Sequence, residues 1–197
     1  NRLVKDLIER EGFDTMRFKP ALIGAWISRK KNRGVVLEQA RAVEAGPKAL
    51  AGIDDDVFAR VAARYAEAMR RANALDFDDL LLKCLELFQQ HPGVRDAYAR
   101  RFRHVLVDEY QDTNGVQYAL MRHLASHHGN VTVCGDPDQS IYAWRGADVR
   151  NILDFEDDFP NATVVRLEQN YRSTKNILGA AHSVIRHNRM RKEKELW

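Results

Sequence analysis

The sequence is poor in the residues that build disulfide-rich, metal-bound or membrane-spanning proteins. Of its 197 residues two are cysteines, Cys84 and Cys134, and the seven histidines lack the spacing of a zinc site. Both cysteines lie in apolar runs, so we expect buried free thiols, as in a reducing cytoplasm. No apolar run approaches the roughly 20 residues that cross a bilayer, and no signal peptide opens the chain. We therefore expect a cytoplasmic globular protein without a membrane partner.

Charge gives little indication of a partner, because the net charge is only +3. Residues 1–50 nevertheless hold 11 basic against 6 acidic residues, and four of the basic ones lie in the run 29–33. This basic run has two interpretations. It is either a solvated helix end, where cations oppose the helix dipole, or a DNA contact. Without a further observation the solvated helix end is favoured.

The first 75 residues predict helices only. Pro20 can open a helix that runs into the basic cluster, and a second helix is predicted over 36–45, before Gly46-Pro47. Acids at 54–56 precede a third helical pattern that continues to Met69.

A fourth helix follows at Asp76, which is a candidate N-cap with Asp79 placed to reach back. The apolar helix behind it, Leu80 to Phe88, contains a Leu-Leu-Leu run that predicts deep burial.

From His104 onward strands and helices alternate. Strands are predicted at 104–107, 131–134 and 163–167, and helices at 115–127, 149–155 and 174–187. This alternation is typical of a parallel sheet covered by helices on both faces. Ligands of such sheets bind at the carboxyl ends of the strands.

Three polar motifs follow the three predicted strands. Residues 108–112, DEYQD, supply two adjacent acids, one suited to hold Mg²⁺ and one to activate a water. Residues 135–147, GDPDQSIYAWRGA, place two aromatic rings and an arginine within four residues, which suits stacked bases and a phosphate. Residues 167–173, LEQNYRS, pair a ring with a guanidinium.

Each motif also has a structural interpretation. The acids can be an acidic loop, Tyr142 and Trp144 can fill the core, and Ser173 or Thr174 can cap a helix beside a surface Arg172. All three motifs nevertheless follow strands of one predicted sheet, so we expect them along one edge.

The motifs resemble those of superfamily 1 DNA helicases of the UvrD/Rep/PcrA type, in order and in spacing. The matching runs are DEYQDT at 108–113, GDPDQSIYAWRGA at 135–147, QNYRST at 169–174 and LDFDDL at 75–80. The resemblance covers roughly residues 75–190, and the preceding helices are similar to the family's inserted helical subdomain.

The resemblance implies an ATP site with Mg²⁺. Asp108 would bind the Mg²⁺ of Mg-ATP, and Glu109 would be the general base for water attack on the γ-phosphate. Gln139 would sense the γ-phosphate and couple it to DNA. Tyr171 would stack on adenine, and Arg172 would act as an arginine finger from a second motor domain.

The resemblance also implies a site for single-stranded DNA and its junctions with duplex. Tyr142 and Trp144 would stack on bases, Arg145 would link the DNA and ATP sites, and Phe77 would line a base pocket. The motor would step 3′ to 5′ in DNA repair or replication, where repair or replication proteins are further partners.

The sequence departs from the family in two respects: no Gly-Lys-Thr phosphate loop occurs in it, and the later family motifs are missing after Trp197. We therefore expect a central excerpt of a helicase that does not hydrolyse ATP alone. The expected fold is α/β, an incomplete RecA-like P-loop sheet with apolar surface uncovered. The expected domains are 1–75, helical; 76–168, ATPase; and 169–197, the start of the second motor domain.

Two other functions stay open on the sequence. A non-catalytic module could bind single-stranded DNA or a repair partner, although binding alone would need neither Asp108 nor Glu109. The motor of a helicase–nuclease would carry the same motifs.

Overall fold

The computed structural model describes residues 1–35, 37, 55–188, 194 and 196–197. By packing, the chain forms two compact units. The helical unit comprises Asn1–Val105 and Asn114–Asn130, and the strand-end unit comprises Leu106–Thr113 and Val131–Trp197. The predicted domain boundaries at 75/76 and 168/169 stay predictions.

Six helices of the described residues form the helical unit. Their bounds are α1 Arg2–Arg10, α2 Pro20–Asn32, α3 Asp55–Arg71, α4 Phe77–Gln90, α5 Pro92–Arg101 and α6 Gly115–Ala125. Helix α2 begins at Pro20 as predicted, and α4 begins with the predicted capping box of Asp76 and Asp79. Helices α1 and α5 were not predicted. The helix predicted over 36–45 lies outside the described residues except at Leu37.

The core of the helical unit has two apolar clusters. The larger packs α1, α2 and α3 around side chains such as Ile8, Ile23 and Val61, which are fully buried. The smaller joins α4 to α6 through Leu82, Leu85 and Val116. Each such side chain contributes about 1.5–3 kcal/mol on burial, so the helices are fixed chiefly by apolar packing.

The predicted burial of the Leu-Leu-Leu run and of the cysteines is wrong in large part. Only Leu82 of the run is buried, because the 3.6-residue period turns Leu80 to solvent. Cys84, two residues after Leu82, is exposed for the same reason. Cys134 is also exposed, since side chains alternate along β2 and its extension. Both thiols are free, as predicted.

Neither interpretation of the basic run holds for its centre. Lys30, Lys31 and Asn32 are buried, so they are neither a solvated helix end nor an exposed DNA contact. The Nζ atom of Lys31 lies 2.7 Å from Asp76 Oδ2 and 2.6 Å from Asp79 Oδ1. Lys31 is therefore a partner of the next capping box in the chain, and Lys30 lies 5.3 Å from the ring centroid of Trp26.

A two-stranded parallel sheet is the β structure of the described residues. Strand β1, Val105–Val107, pairs with β2, Val131–Val133. Val105 N donates to Asn130 O at 2.9 Å, and Cys134 N donates to Val107 O at 2.8 Å. The protein therefore has the α/β character that the sequence predicts, with more helix and a smaller sheet than expected.

The described part of the strand-end unit contains the helices α7 Arg150–Leu153, α8 Phe155–Asp158 and α9 Lys175–Ile185. The predicted helix 149–155 is thus divided, because Asp154 ends α7 and precedes α8. The predicted strand 163–167 has no ladder partner among the described residues and is not a strand. Its side chains are exposed, as is Leu106 in β1, so apolar surface is uncovered as expected.

Among the described residues, no helix is both long enough and apolar enough to span a bilayer.

Candidate active site

The acidic segment, residues 108–113, leaves β1 through an unusual backbone turn. Glu109 has φ 49° and ψ 43°, the left-handed region that costs a non-glycine residue about 1–2 kcal/mol. The Oδ1 atom of Asp108 accepts a hydrogen bond from Glu109 N at 2.9 Å, which holds the turn. Both carboxylates are exposed. The turn therefore presents two adjacent acids to solvent at a strand end.

Gln111 is the residue that sequence reasoning missed. It is 1% exposed, and its Nε2 donates to Glu109 Oε2 at 2.7 Å. Its Oε1 accepts from Asp136 N at 2.9 Å, and its carbonyl oxygen accepts from Ser140 Oγ at 3.2 Å. Gln111 therefore orients the Glu109 carboxylate and binds the loop after β2. The sequence signal was its place inside the DEYQD run.

The loop after β2 extends this network to Gln139. The Nε2 of Gln139 donates to Asp136 Oδ2 at 2.8 Å, and Asp136 Oδ1 caps the following turn by accepting from Asp138 N at 3.0 Å. Hydrogen bonds thus run without a break from Glu109 through Gln111 and Asp136 to Gln139. The structure brings these two predicted site residues into one network.

Asp136 is charged at neutral pH in this network. Burial raises its pKa, but hydrogen bonds from Lys194 and Gln139 outweigh burial and hold the pKa below its ordinary value. Lys194 forms an ion pair with Asp136 and approaches Asp138 Oδ2 at 3.5 Å. The carboxylate that positions Gln139 is therefore itself fixed by a cation.

Gly135 allows the two loops to approach. A Cβ atom at this position would lie 2.6 Å from Gln111 Oε1, 2.9 Å from Ile152 Cδ1 and 3.1 Å from Tyr110 N. Tyr110 N donates to Cys134 O at 2.9 Å, so the backbones are joined beside the glycine. A side chain at this position would therefore require Gln111, Ile152 or the backbone of Tyr110 to shift.

Thr113 anchors the far end of the acidic segment. Its Oγ1 donates to Tyr110 O at 2.7 Å, and its carbonyl oxygen accepts from Asp148 N at 2.9 Å and from Asn151 Nδ2 at 3.1 Å. The segment is therefore bound at both ends to residues that follow β2.

Asp112 differs from the two exposed acids. Its Oδ1 is shielded from solvent and accepts no hydrogen bond from the described residues. Burial and then the charge of Glu109 raise the pKa of Asp112, while a hydrogen bond from Gln111 opposes them. Asp108 and Glu109 are thus the carboxylates of the segment best placed for a cation and a water.

The donor set suits Mg²⁺ held partly by a substrate. No group of three or more His, Cys, Asp or Glu residues forms a metal cage in the part of the chain that the structure describes. Mg²⁺ commonly takes one or two carboxylates and completes its shell with waters and phosphate oxygens. The exposed carboxylate of Asp108 can be such a ligand.

A second cluster contains Tyr142, Trp144 and Arg145. The two ring centroids lie 6.3 Å apart, and the Arg145 guanidinium lies 5.7 Å from the Tyr142 centroid and 5.5 Å from that of Trp144. Residues 143–145 form a 3₁₀ turn. Trp144 is 78% exposed, so it does not fill the core. The rings and the cation are accessible to a ligand.

Tyr171 and Arg172 lie on a separate exposed turn. Asn170 Oδ1 accepts from the backbone N of Arg172 at 3.1 Å and of Ser173 at 3.2 Å. Tyr171 is 87% exposed. Thr174 precedes α9 without a side-chain cap. No described contact joins Tyr171 or Arg172 to the acidic segment, so their roles stay predictions.

Phe77 lies in the helical unit, at the first position of α4. The capping box on either side fixes its backbone, with Asp79 N donating to Asp76 Oδ1 at 2.9 Å and Asp76 N to Asp79 Oδ2 at 3.1 Å. Its ring is 90% exposed. An apolar ring held on a rigid turn is accessible to an aromatic ligand.

Comparison with known proteins agrees with these motifs. The family model described as UvrD/REP helicase N-terminal domain matches residues 1–160. The chain belongs to this family. The predicted UvrD/Rep/PcrA-type resemblance is thereby confirmed.

Among curated relatives, ATP-dependent DNA helicase PcrA of Staphylococcus epidermidis and that of Bacillus subtilis are each 45% identical over 195 residues. PcrA of Staphylococcus aureus is 44% identical over the same length. Each comparison covers 99% of this chain and 26% of the relative. This member of the UvrD/REP family therefore spans about a quarter of the length of the relatives that it matches.

Proposed function

We propose that these 197 residues are part of an ATP-dependent DNA helicase that moves along single-stranded DNA. The observation that carries the proposal is the unbroken hydrogen-bond network from Glu109 to Gln139. An exposed carboxylate at a strand end can accept a proton from an attacking water, and a neutral amide in the same network can contact a phosphate. The network couples the two groups mechanically.

The proposed roles of the residues are those that the resemblance to the helicase family implies. Asp108 would hold Mg²⁺, which neutralises charge on the ATP phosphates when bound. Glu109, oriented by Gln111, would take the proton of the attacking water. Tyr171 would stack on adenine and Arg172 would balance charge at the γ-phosphate.

The DNA side of the proposal depends on accessible rings. Base stacking on an aromatic side chain contributes about 1–3 kcal/mol per base. Tyr142 and Trp144 offer two such faces, Arg145 offers a cation for the backbone, and Phe77 offers a further ring. We propose 3′–5′ movement on single strands and strand–duplex junctions, in a cytoplasmic repair or replication pathway.

The first test measures ATP hydrolysis by the full-length protein that carries this segment. We expect DNA-stimulated hydrolysis in the wild type and a loss of about 10²–10⁴-fold in Glu109→Gln, because the amide cannot accept the proton. Single-stranded DNA binding should be unchanged. Glu9→Gln, at an exposed pair with Lys5, is the control. Wild-type hydrolysis by Glu109→Gln would refute the base assignment.

The 197-residue chain alone should release no phosphate from ATP, because its sequence contains no Gly-Lys-Thr loop. It should still bind a fluorescent single-stranded oligonucleotide. DNA-stimulated phosphate release from the purified chain would contradict this expectation.

Polarity is tested by strand displacement. We expect the full-length protein to displace a strand from a duplex with a 3′ single-stranded tail and not from one with a 5′ tail. Displacement from the 5′-tailed duplex alone would reverse the proposed polarity and leave the site assignments untouched.

A further inference from the structure

The end of α2 contains a buried polar cluster that the function above does not use. Lys31 is 4% exposed and forms ion pairs with both acids of the α4 capping box. Its Nζ also lies 5.2 Å from the Tyr65 ring centroid, and Tyr65 OH donates to Asp76 Oδ2 at 2.8 Å. The turn that presents Phe77 is therefore bound to α2 and α3.

The next residue, Asn32, contacts two different helix starts. Its Nδ2 donates to Asp78 Oδ1 at 3.1 Å, directly after Phe77, and to Ser28 O at 2.9 Å. Its Oδ1 accepts a hydrogen bond from Asn114 Nδ2, and this bond is buried. One amide side chain thus joins the start of α4 to the residue before α6.

Asn114 has a second role that makes its position consequential. It is the N-cap of α6, with Oδ1 accepting from Gln117 N at 2.9 Å and its own N donating to Gln117 Oε1 at 3.0 Å. It also follows Thr113 directly in the chain, at the end of the acidic segment. The two polar atoms of the Asn114 amide therefore bind different partners. Its Oδ1 accepts from the backbone of α6, and its Nδ2 donates to Asn32.

We propose that Asn32 is a positioning residue that couples the Phe77 turn to the start of α6. A displacement of Asp78 alters the hydrogen bonds of Asn32, and Asn32 transmits the change to Asn114 because a buried amide without its partner is costly. The functional part rests on the proposed function, in which DNA bases bind at Phe77. DNA binding would then reach the residue that follows the acidic segment.

The direct test requires no ligand. Backbone hydrogen exchange at Gln117 is measured in the full-length protein as wild type, Asp78→Ala, Asn32→Ala and the double variant. We expect Asp78→Ala to speed exchange at Gln117, and this effect to vanish in the Asn32→Ala background, because contacting residues are not additive. Ser28→Ala, which removes another partner of the same amide, is the control and should preserve the effect. An equal effect of Asp78→Ala in both backgrounds would overturn the coupling.

The functional test compares ATP hydrolysis with and without single-stranded DNA. We expect Asn32→Ala to leave the DNA-free rate unchanged and to lower DNA stimulation about fivefold or more, the usual range of coupling between sites. Asn32→Ala combined with Asn114→Ser leaves no unpaired amide and keeps a cap oxygen, so it should fold and still lack stimulation. If an Asn32 variant has a lowered Tm but retains full DNA stimulation of ATP hydrolysis, the role of Asn32 is purely structural.

The two proposals fail separately. A wild type without DNA-stimulated hydrolysis would refute the helicase function, while the exchange at Gln117 would still decide whether Asn32 couples the two helix starts. If both Asn32 variants show the same DNA stimulation of ATP hydrolysis as the wild type, the functional coupling is refuted and the helicase function is unaffected.

Discussion

The two units hold their exposed candidate side chains in place by different physical means. In the helical unit, Phe77 projects from a turn that is tied to an apolar core through the buried ion pairs of Lys31. In the strand-end unit, Glu109 and Gln139 lie on loops joined by hydrogen bonds that converge on Gln111. An exposed side chain can thus be fixed either by charges beneath it or by one buried amide beside it.

Removal of the Lys31 cation should have the largest effect on the stability of the helical unit. Lys31→Met leaves Asp76 and Asp79 without their buried partner, so the free energy of unfolding should fall by about 3–5 kcal/mol. Lys83→Met, at an exposed pair with Glu86, should change it by less than about 1 kcal/mol. Urea unfolding measures both. Equal effects would mean that the buried ion pairs do not hold the turn.

In the strand-end unit, the close approach of the two loops is tested by adding a side chain at Gly135. Gly135→Ala places a methyl group 2.6 Å from Gln111 Oε1, so it should destabilise this unit by about 1–3 kcal/mol through overpacking. Gly179→Ala, within α9 and with open space around it, should stabilise its helix by about 0.5–1 kcal/mol. Hydrogen exchange in each element reports the change. A stabilising Gly135→Ala would show that the loops need not approach so closely.

The exposed rings of the two units should contribute to DNA binding without contributing to stability. Phe77→Ala and Trp144→Ala should each weaken binding of a single-stranded oligonucleotide about tenfold in the full-length protein, within the range for one stacked base. The Tm of each variant should be unchanged, since both rings are exposed. Fluorescence anisotropy measures the Kd, and Met16→Ala, another exposed apolar residue, is the control. If either variant has a lowered Tm and an unchanged Kd, the ring it lacks has a structural role and does not bind DNA.

The smallest expected effect is a pH dependence of the helical unit. Burial raises the pKa of Asp76, but hydrogen bonds from Lys31, Asp79 N and Tyr65 outweigh it and lower the pKa. A depressed carboxyl pKa stabilises the fold above the unfolded value, about 3.9, and that stabilisation is lost as pH falls through the folded value. Between pH 6 and pH 3, the free energy of unfolding should fall less in Asp76→Asn than in the wild type. An identical fall in both proteins would contradict the assignment to Asp76.

The sequence predicted the features that depend on neighbouring residues, such as helix starts and strand ends. The capping box of Asp76 and Asp79 and the start of α2 at Pro20 depend on residues within one helical turn, and both are confirmed. The strand ends that carry Asp108 and Gly135 were also evident, because short apolar runs before polar loops are distinctive.

Contacts between distant residues could not be predicted in the same way. Asn32 bonds to a residue 82 positions later and Gln111 to one 25 positions later, and neither distance leaves a periodic signal. The burial of Lys31 was missed because a run of cations is ordinarily solvated. The strand at 163–167 was predicted from its apolar residues, whereas a strand also needs a neighbour to receive its hydrogen bonds.

The left-handed backbone at Glu109 also affects how this position tolerates mutation. Asparagine, aspartate and glycine adopt that conformation more readily than other residues, whereas β-branched residues resist it. A saturation library selected for folding alone should therefore enrich Asn and Gly over Val and Ile at this position. A library selected for activity should return Glu. The native residue there would then be retained by its chemistry against the preference of its own backbone.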